Sequence, residues 1–261
     1  MQKIISWNVA SIRARMDALT KLLTEESPDI VLLQEIKAEE SNFPFFDLKL
    51  LGYDAAISGQ KSYNGVAILS KQHPTNIQTT LFKTEEEQQA RFIQADIGNF
   101  TIISVYVPNG NPPEKDPNDQ TKLLYKLKWM EALKNHLADL IAAHKNIILG
   151  GDFNVIERDS DVYNPELFRN NSLMLPAVRQ KYADITQLPI VNAIRLKNPE
   201  PHTYSFWDFQ MGAWQRNNGM LLDALFINSE LKDQIENAMV LKSVRGWEKT
   251  SDHAPVCLIL K

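Results

Sequence analysis

The chain has 261 residues, 44% hydrophobic and 23% charged, and a formal net charge of −4. That composition excludes a disordered, fibrous or collagen-like chain, and the totals exclude a strongly basic nucleic-acid binder while leaving a local basic patch open. One cysteine, Cys257, excludes an internal disulfide and gives no reason to expect export.

In chain order, the opening "MQKIISWNVA" lacks the apolar core of a signal peptide. No apolar run anywhere reaches the roughly 18 residues that would span a membrane. A soluble, cytoplasmic protein with no membrane partner is expected. "KIISW" reads as the first strand. A helix follows over about 15–25, with Met16, Leu19, Leu22 and Leu23 at helical spacing, and Pro28 stops it. "DIVLLQ" reads as a second, buried strand. From 53 to 107 come about five strand-like runs, among them "YDAAIS", "GVAILS", "RFIQADI" and "FTIISVYV", with no convincing helix. In "RFIQADI", Phe92, Gln94 and Asp96 alternate with Ile93, Ala95 and Ile97. "PNGNPPEKDPND", 108 to 119, is a loop, because four prolines in twelve residues fit neither helix nor ladder.

A long helix is predicted over about 119–143. Leu123, Leu127, Met130, Leu133, Leu137 and Leu140 form its apolar stripe, and Asn118 or Asp119 is its N-cap. "NIILG", "LLDALFI" and "APVCLIL" are the last strand-like runs, and Cys257 in the last of them is expected to be a buried core thiol. A doubly wound sheet would alternate strand and helix throughout. Here a strand-rich block lies between helical ones, which predicts a layered α/β sandwich with sheets packed on each other and helices outside. No linker or repeat divides the chain, so one domain over 1–261 is expected.

The informative residues are polar ones at strand ends. Asn8 ends the first run and Gln34–Glu35 the second. Tyr106 and Asn109 follow "FTIISV". Asp152 and Asn154 follow two glycines in "NIILGGDFN". Asp223 interrupts "LLDALFI", and Asp252–His253 precede the last strand. Each alone is explained by a turn or by solvation. Asp223, with apolar neighbours, needs a partner if buried, and a histidine would supply one and be fixed by it. Together they suggest a site, since strand ends on one edge of an α/β sheet converge. Residues two apart in an extended segment point the same way, which would aim Asp152 and Asn154 at one pocket, with the glycines allowing close approach. Carboxylates, amides, one histidine and one tyrosine, with no thiolate, suit Mg²⁺, or Mn²⁺ as an alternative, better than zinc. Such a site suits metal-assisted phosphoester hydrolysis by an activated water.

The ordered motifs "SWNVASIRAR", "LLQEIK", "GQKSYNGVAILS", "YVPNG", "GGDFNV", "YSFWDF", "NNGMLLDALF" and "SDHAPV" resemble the exodeoxyribonuclease III/AP endonuclease family of the exonuclease–endonuclease–phosphatase superfamily. They run from residue 6 to 256, nearly the whole chain. The resemblance implies a four-layer αββα sandwich, two packed mixed sheets flanked by helices, of the deoxyribonuclease I-like type. It also implies Mg²⁺-dependent incision of duplex DNA 5' to abasic sites, with 3'-5' exonuclease, 3'-phosphodiesterase and 3'-phosphatase activity in DNA repair. The implied partner is double-stranded DNA with abasic sites or blocked 3' ends, bound by a monomer acting at the nucleoid.

Residue by residue, the resemblance implies that Glu35 is the principal metal ligand, with Asn8 and Asp252 nearby. Asp152 orients or deprotonates the water, with Asn154 beside it. His253, paired to Asp223, stabilises developing phosphate charge or acts as the base. Tyr106 and Asn109 serve the phosphate site. Phe206, Trp207, Met220 and Leu222 line a pocket for the extruded abasic sugar, and Arg13, Lys37 and Tyr63 contact DNA. Two positions depart from the family pattern: Ala10, where many members carry Asn or Asp, and Leu221, where Arg or Lys is common. A phosphoinositide-type phosphatase of the same superfamily is disfavoured, because its Trp-rich "PAW-x-DR" motif is missing. A catalytically dead scaffold is disfavoured because Glu35, Asp152 and His253 are all present.

Overall fold

The structure, a computed structural model, describes residues 1–82, 89–112 and 114–261. Among these, strands form two six-stranded sheets. The first runs, edge to edge, β11 (Ile235–Val240), β12 (Val256–Leu260), β1 (Gln2–Asn8), β2 (Ile30–Gln34), β4 (Val66–Ser70), β3 (Asp54–Ser58). The second runs β5 (Thr75–Gln78), β6 (Phe92–Ile97), β7 (Phe100–Tyr106), β8 (Ile147–Asp152), β10 (Asp223–Asn228), β9 (Ile190–Asn192). Both are mixed: β1–β2 and β7–β8 are parallel, and the other pairs are antiparallel.

Nine strands match the apolar runs. The three others, β5, β9 and β11, are edge strands, and each carries polar residues that hide its period: "TNIQ", "IVN" and "IENAMV". An edge strand faces solvent along one side, so less of it needs to be apolar.

The helices are α1 (Met16–Glu26), α2 (Phe45–Leu50), α3 (Thr121–Ala142), α4 (Pro165–Phe168), α5 (Pro176–Thr186), α6 (Ala193–Lys197) and α7 (Ala213–Arg216). Ser27, in the left-handed region at φ 45, closes α1 through its N–H to Leu23 O before Pro28. At α3 the cap position is Gln120, not Asn118 or Asp119. Asp119, just before it, still accepts from the Thr121 N–H at 2.8 Å. Apart from Pro113, which lies outside the described residues, 108–119 is neither helix nor strand.

The layers follow from which face of each strand is apolar. Ile4, Ile30, Leu32 and Ile68 of the first sheet meet Ile93, Ile102, Ile148 and Leu225 of the second in a fully buried central layer. On the outer side of the first sheet, Leu19 and Leu22 of α1 and Leu48 of α2 cover Trp7, Val31 and Leu33. On the outer side of the second, Trp129 and Leu133 of α3 and Tyr182 of α5 cover Val105, Leu149 and Phe226. The alternation in β6 divides as expected: Ile93 and Ala95 face the central layer and Phe92 the outer one. The result is the four-layer αββα sandwich. Each aliphatic side chain sealed in these layers contributes about 1.5–3 kcal/mol. Cys257 is buried among them, and burial pushes its pKa up to about 12, so it is a core thiol.

Candidate active site

Strand directions bring the polar ends together. β1 and β2 are parallel and end at Asn8 and Gln34, which are register partners. β12 runs antiparallel to β1, so its start, just after His253, lies beside the end of β1. In the second sheet Tyr106, Asp152 and Asp223 occupy adjacent rungs of β7, β8 and β10. Facing ends of the two sheets therefore supply one cluster.

Asn8 joins its two halves. Its Nδ2 donates to Glu35 Oε1 at 2.9 Å and to Asp152 Oδ2 at 3.0 Å, while its Oδ1 accepts the Ala10 N–H at 3.1 Å. Two carboxylates on one side and an N–H on the other fix which way the amide points. Asn8, expected beside the metal, thus spans the two acids through its NH₂, and its oxygen carries one hydrogen bond, from Ala10. Ala10 sits at φ 48 to make that contact, a conformation that suits Asn or Gly better than Ala.

Glu35 leaves β2 at φ 49, a strained setting for a residue with a Cβ, held by its carbonyl accepting Ser11 N–H at 2.7 Å. Burial raises its pKa, but bonds from Asn8 and Lys37 outweigh that and hold it below the usual carboxylate value. Lys37 Nζ lies 2.9 Å from Glu35 Oε2, so this expected DNA contact is engaged within the cluster.

Asp152 is buried. Its Oδ1 accepts Asn154 N–H at 2.9 Å, and its Oδ2 lies 3.7 Å from His253 Nε2. Burial, with Asp223 and Glu35 adding to it, pushes its pKa up against the pull of His253. His253 Nδ1 meets Asp223 Oδ2 at 2.8 Å. Burial disfavours the charged ring, but Asp223 and Asp152 outweigh it, and the pKa rises. Burial, then the charges of Glu35 and Asp152, push the Tyr106 phenol well above its ordinary value. The expected Asp223–His253 pair is thus formed.

The two glycines before Asp152 admit protein rather than a ligand. A Cβ on Gly150 would lie 2.6 Å from Leu225 Cδ2 and 2.7 Å from Leu32 Cδ1, the latter across the central layer. On Gly151 it would lie 2.0 Å from the Val105 carbonyl oxygen. Asn154 departs from the extended geometry expected of it: it turns at φ 50, donates to Val107 O at 2.9 Å and meets Asn109 Nδ2 at 3.4 Å.

Asp252 lies beside His253, with Oδ1 accepting from Ser251 at 3.2 Å, and among the described residues no hydrogen bond ties it to Asn8 or Glu35. Phe206 packs on the His253 ring at 4.9 Å, and Met220 and Leu222 are buried beside Phe206. Met220 also borders a cleft of about 230 Å³ with Tyr163, Phe168 and Met211. Trp207 requires correction as a pocket residue. It is 0% exposed, bonds Asn217 through Nε1 at 3.2 Å and packs on Tyr204 and Trp214. Neighbours in an extended segment point opposite ways, so placing Phe206 on the histidine sends Trp207 into the core. Arg13 and Tyr63 are exposed. Leu221 is buried, with its N–H on Asp161 O at 2.8 Å. A cavity of about 380 Å³ lies around Gln2 and Ser70, at the opposite strand ends from this cluster.

Three supporting residues escaped the sequence reading. Ser205 Oγ donates to Asp223 Oδ2 at 2.6 Å, and Ser251 Oγ donates to Asn8 O at 2.6 Å. Both serines lie in motifs already quoted. The third, Lys126, is fully buried and donates to the carbonyls of Asn109 at 3.0 Å, Asn154 at 2.6 Å and Ser172 at 3.3 Å. Burial pushes its pKa down to about 7; the ammonium form supplies the three N–H groups those carbonyls can use. Its signal was its phase, four residues before Met130 on the apolar face. Lys126→Met is expected to lower unfolding free energy by about 3 kcal/mol, since it strands buried carbonyls at about 1–3 kcal/mol each. Urea denaturation checks this, and an unchanged midpoint would count against the tether.

Among the described residues no group of three acidic, histidine or cysteine side chains is close enough to enclose an ion. The donors still fit a Mg²⁺-like cation, which takes one or two carboxylates and keeps several waters. Glu35 is the carboxylate that could hold one, since the Lys37 ammonium 2.9 Å from its Oε2 already sets a positive charge there.

Residues 5–253 match the family described as "Endonuclease/Exonuclease/phosphatase family". An exodeoxyribonuclease of Bacillus subtilis is 33% identical over 99% of each chain. Exodeoxyribonuclease III of Haemophilus influenzae is 29% identical, over 97% of this chain and 98% of that one. Among solved structures, a 3'-5' exonuclease from Neisseria meningitidis superposes with a TM-score of 0.94 at 32% identity, covering 100% of each chain. An AP endonuclease from Archaeoglobus fulgidus does so at 0.93 and 32%, again over 100% of each. Full-length likeness, joined to the cluster built at the facing sheet ends, places the chain in the endonuclease/exonuclease/phosphatase family.

Proposed function

We propose that the chain is a divalent-cation-dependent DNA-repair nuclease. It hydrolyses the phosphodiester 5' to abasic sites and trims blocked 3' ends. The observation that carries this reading is the bridge from Glu35 through Asn8 to Asp152, with His253 held between Asp152 and Asp223. One carboxylate serves a cation and a second serves water, and an imidazolium stands beside both. The relatives' activities support the same reading: they include exodeoxyribonucleases, an AP endonuclease and a 3' phosphatase solved with a product DNA hairpin.

Glu35 would hold the Mg²⁺, which when bound would supply charge neutralisation at the phosphate and ease loss of the water's proton. The chain's own residues do the rest. Asp152, its pKa raised by burial, orients the attacking water and takes its proton. His253 has Nδ1 committed to Asp223, stays protonated between two carboxylates, and turns Nε2–H toward the charge developing on phosphate. Asn8 keeps the two acids in register, and Tyr106 and Asn109 flank the phosphate. Phe206, Met220 and Leu222 form the wall against which an extruded sugar rests. A missing base lowers the cost of extrusion.

One gel tests the reading with three substrates: a duplex with an abasic analogue, an intact duplex with recessed 3' ends, and a nick bearing a 3'-phosphate. Cleavage of the first and processing of the third are expected, abolished by EDTA and restored by Mg²⁺. Cleavage that persists in chelator would sink the cation assignment, and no reaction on any substrate would sink the nuclease.

A further inference from the structure

The Asp223 carboxylate is held from one side only. Its Oδ2 accepts from Ser205 Oγ at 2.6 Å and meets His253 Nδ1 at 2.8 Å. Its Oδ1 is buried and has no hydrogen-bond partner among the described residues. An unpaired buried oxygen is costly, and a carboxylate fixed through one atom can pivot about it.

A complementary orphan lies on α6. Arg195 Nη2 reaches Asp161 Oδ2 at 2.6 Å and Glu157 Oε2 at 3.1 Å. Its backbone N–H is taken by Asn192 Oδ1 at 3.1 Å, so both ends of the residue are anchored. Its Nε–H is buried and has no acceptor among the described residues. Asp223 and Arg195 line the same small cavity, about 10 Å³, together with Asp161, Tyr182, Asn192 and Leu222. That volume is close to one water sphere, and a buried water needs two to four polar partners. The cavity offers an unpaired donor on one residue and an unpaired acceptor on the other. A water has the groups to satisfy both, accepting from Nε–H and donating to Oδ1.

We propose that this cavity is a water site, and that Arg195 acts through one bridging water as a positioning residue for the Asp223–His253 pair. The role deepens the reading of that pair as part of the reaction centre and rests on it. The water ties Oδ1 to a guanidinium that Asp161 and Glu157 already immobilise. Asp223 then has no freedom to pivot, and His253 keeps its aim toward Asp152.

Arg195→Lys tests this, because it keeps a cation opposite Asp161 and Glu157 but removes the Nε–H. The expected result is kcat on the abasic duplex lowered about tenfold at unchanged KM, as for a small misplacement of a catalytic group. The His253 Nδ1–H proton resonance should shift upfield as its bond to Asp223 loosens. Arg195→Met should show the same two changes, more strongly, in whatever fraction folds. Unchanged kcat and an unchanged resonance in Arg195→Lys would overturn the proposal. So would a high-resolution crystal structure of the unaltered chain with no solvent peak within about 3 Å of both atoms. An unaltered chain inactive on every DNA substrate would overturn the nuclease reading alone, since the resonance and the solvent peak do not depend on turnover.

Discussion

Asp152→Asn is expected to lower kcat by about three orders of magnitude while DNA affinity stays within about threefold. The side chains are nearly isosteric, so the cleft keeps its shape and the phosphate contacts elsewhere persist. What changes is the pattern of donors. Asp152 Oδ2 accepts from Asn8 and Oδ1 accepts from the Asn154 N–H. An amide has one oxygen for those two donors, so its NH₂ must face either the Asn8 NH₂ or the Asn154 N–H. The variant therefore loses the proton acceptor for water and also pushes on the bridge to Glu35. Single-turnover cleavage of an abasic duplex measures the first quantity, and fluorescence anisotropy with the same duplex measures the second. A rate within tenfold of the unaltered chain would show that Asp152 does not handle the water.

The second large effect is structural. Gly151→Ala is expected to cost about 3 kcal/mol or more, at the upper end for an overpacked site. The added Cβ would lie 2.0 Å from the Val105 carbonyl oxygen and 2.8 Å from Val105 Cγ2. Val105 and Gly151 are paired rungs of β7 and β8, so relief requires the parallel pair to open one residue from Asp152. Gly52→Ala is the control: its Cβ would meet nothing within 4 Å, leaving only the penalty of its φ of +88. Guanidinium denaturation of both variants should separate them clearly. Equal losses would mean that the close approach at Gly151 is relieved by small adjustments.

Legibility in the sequence followed burial on two faces. Eight of the nine strands that read as apolar runs are in the interior of a sheet and β3 is an edge, whereas β5, β9 and β11 are edges whose polar residues break the run. The catalytic candidates were legible because a carboxylate or amide at the end of a buried strand is conspicuous. The roles inside the cluster were less so. That Asn8 bridges the two acids depends on which way one amide turns, which pairing across 144 residues decides. Trp207 read like Phe206, and only the alternation of the segment separates a residue on the histidine from one in the core. Lys126 and Arg195 were not singled out, because burial of a cation is set by the segments that close over it.

Half of the reaction centre descends from one sheet and half from the other, and the apolar layer between them fixes the gap. Arg13, Tyr63 and Met211 are exposed and take no part in that layer. The acids and the histidine are thus fixed by how the sheets dock, and the exposed rim is not. Sliding one sheet against the other would part Glu35 from Asp152, whereas a change at the rim would leave their bridge through Asn8 in place.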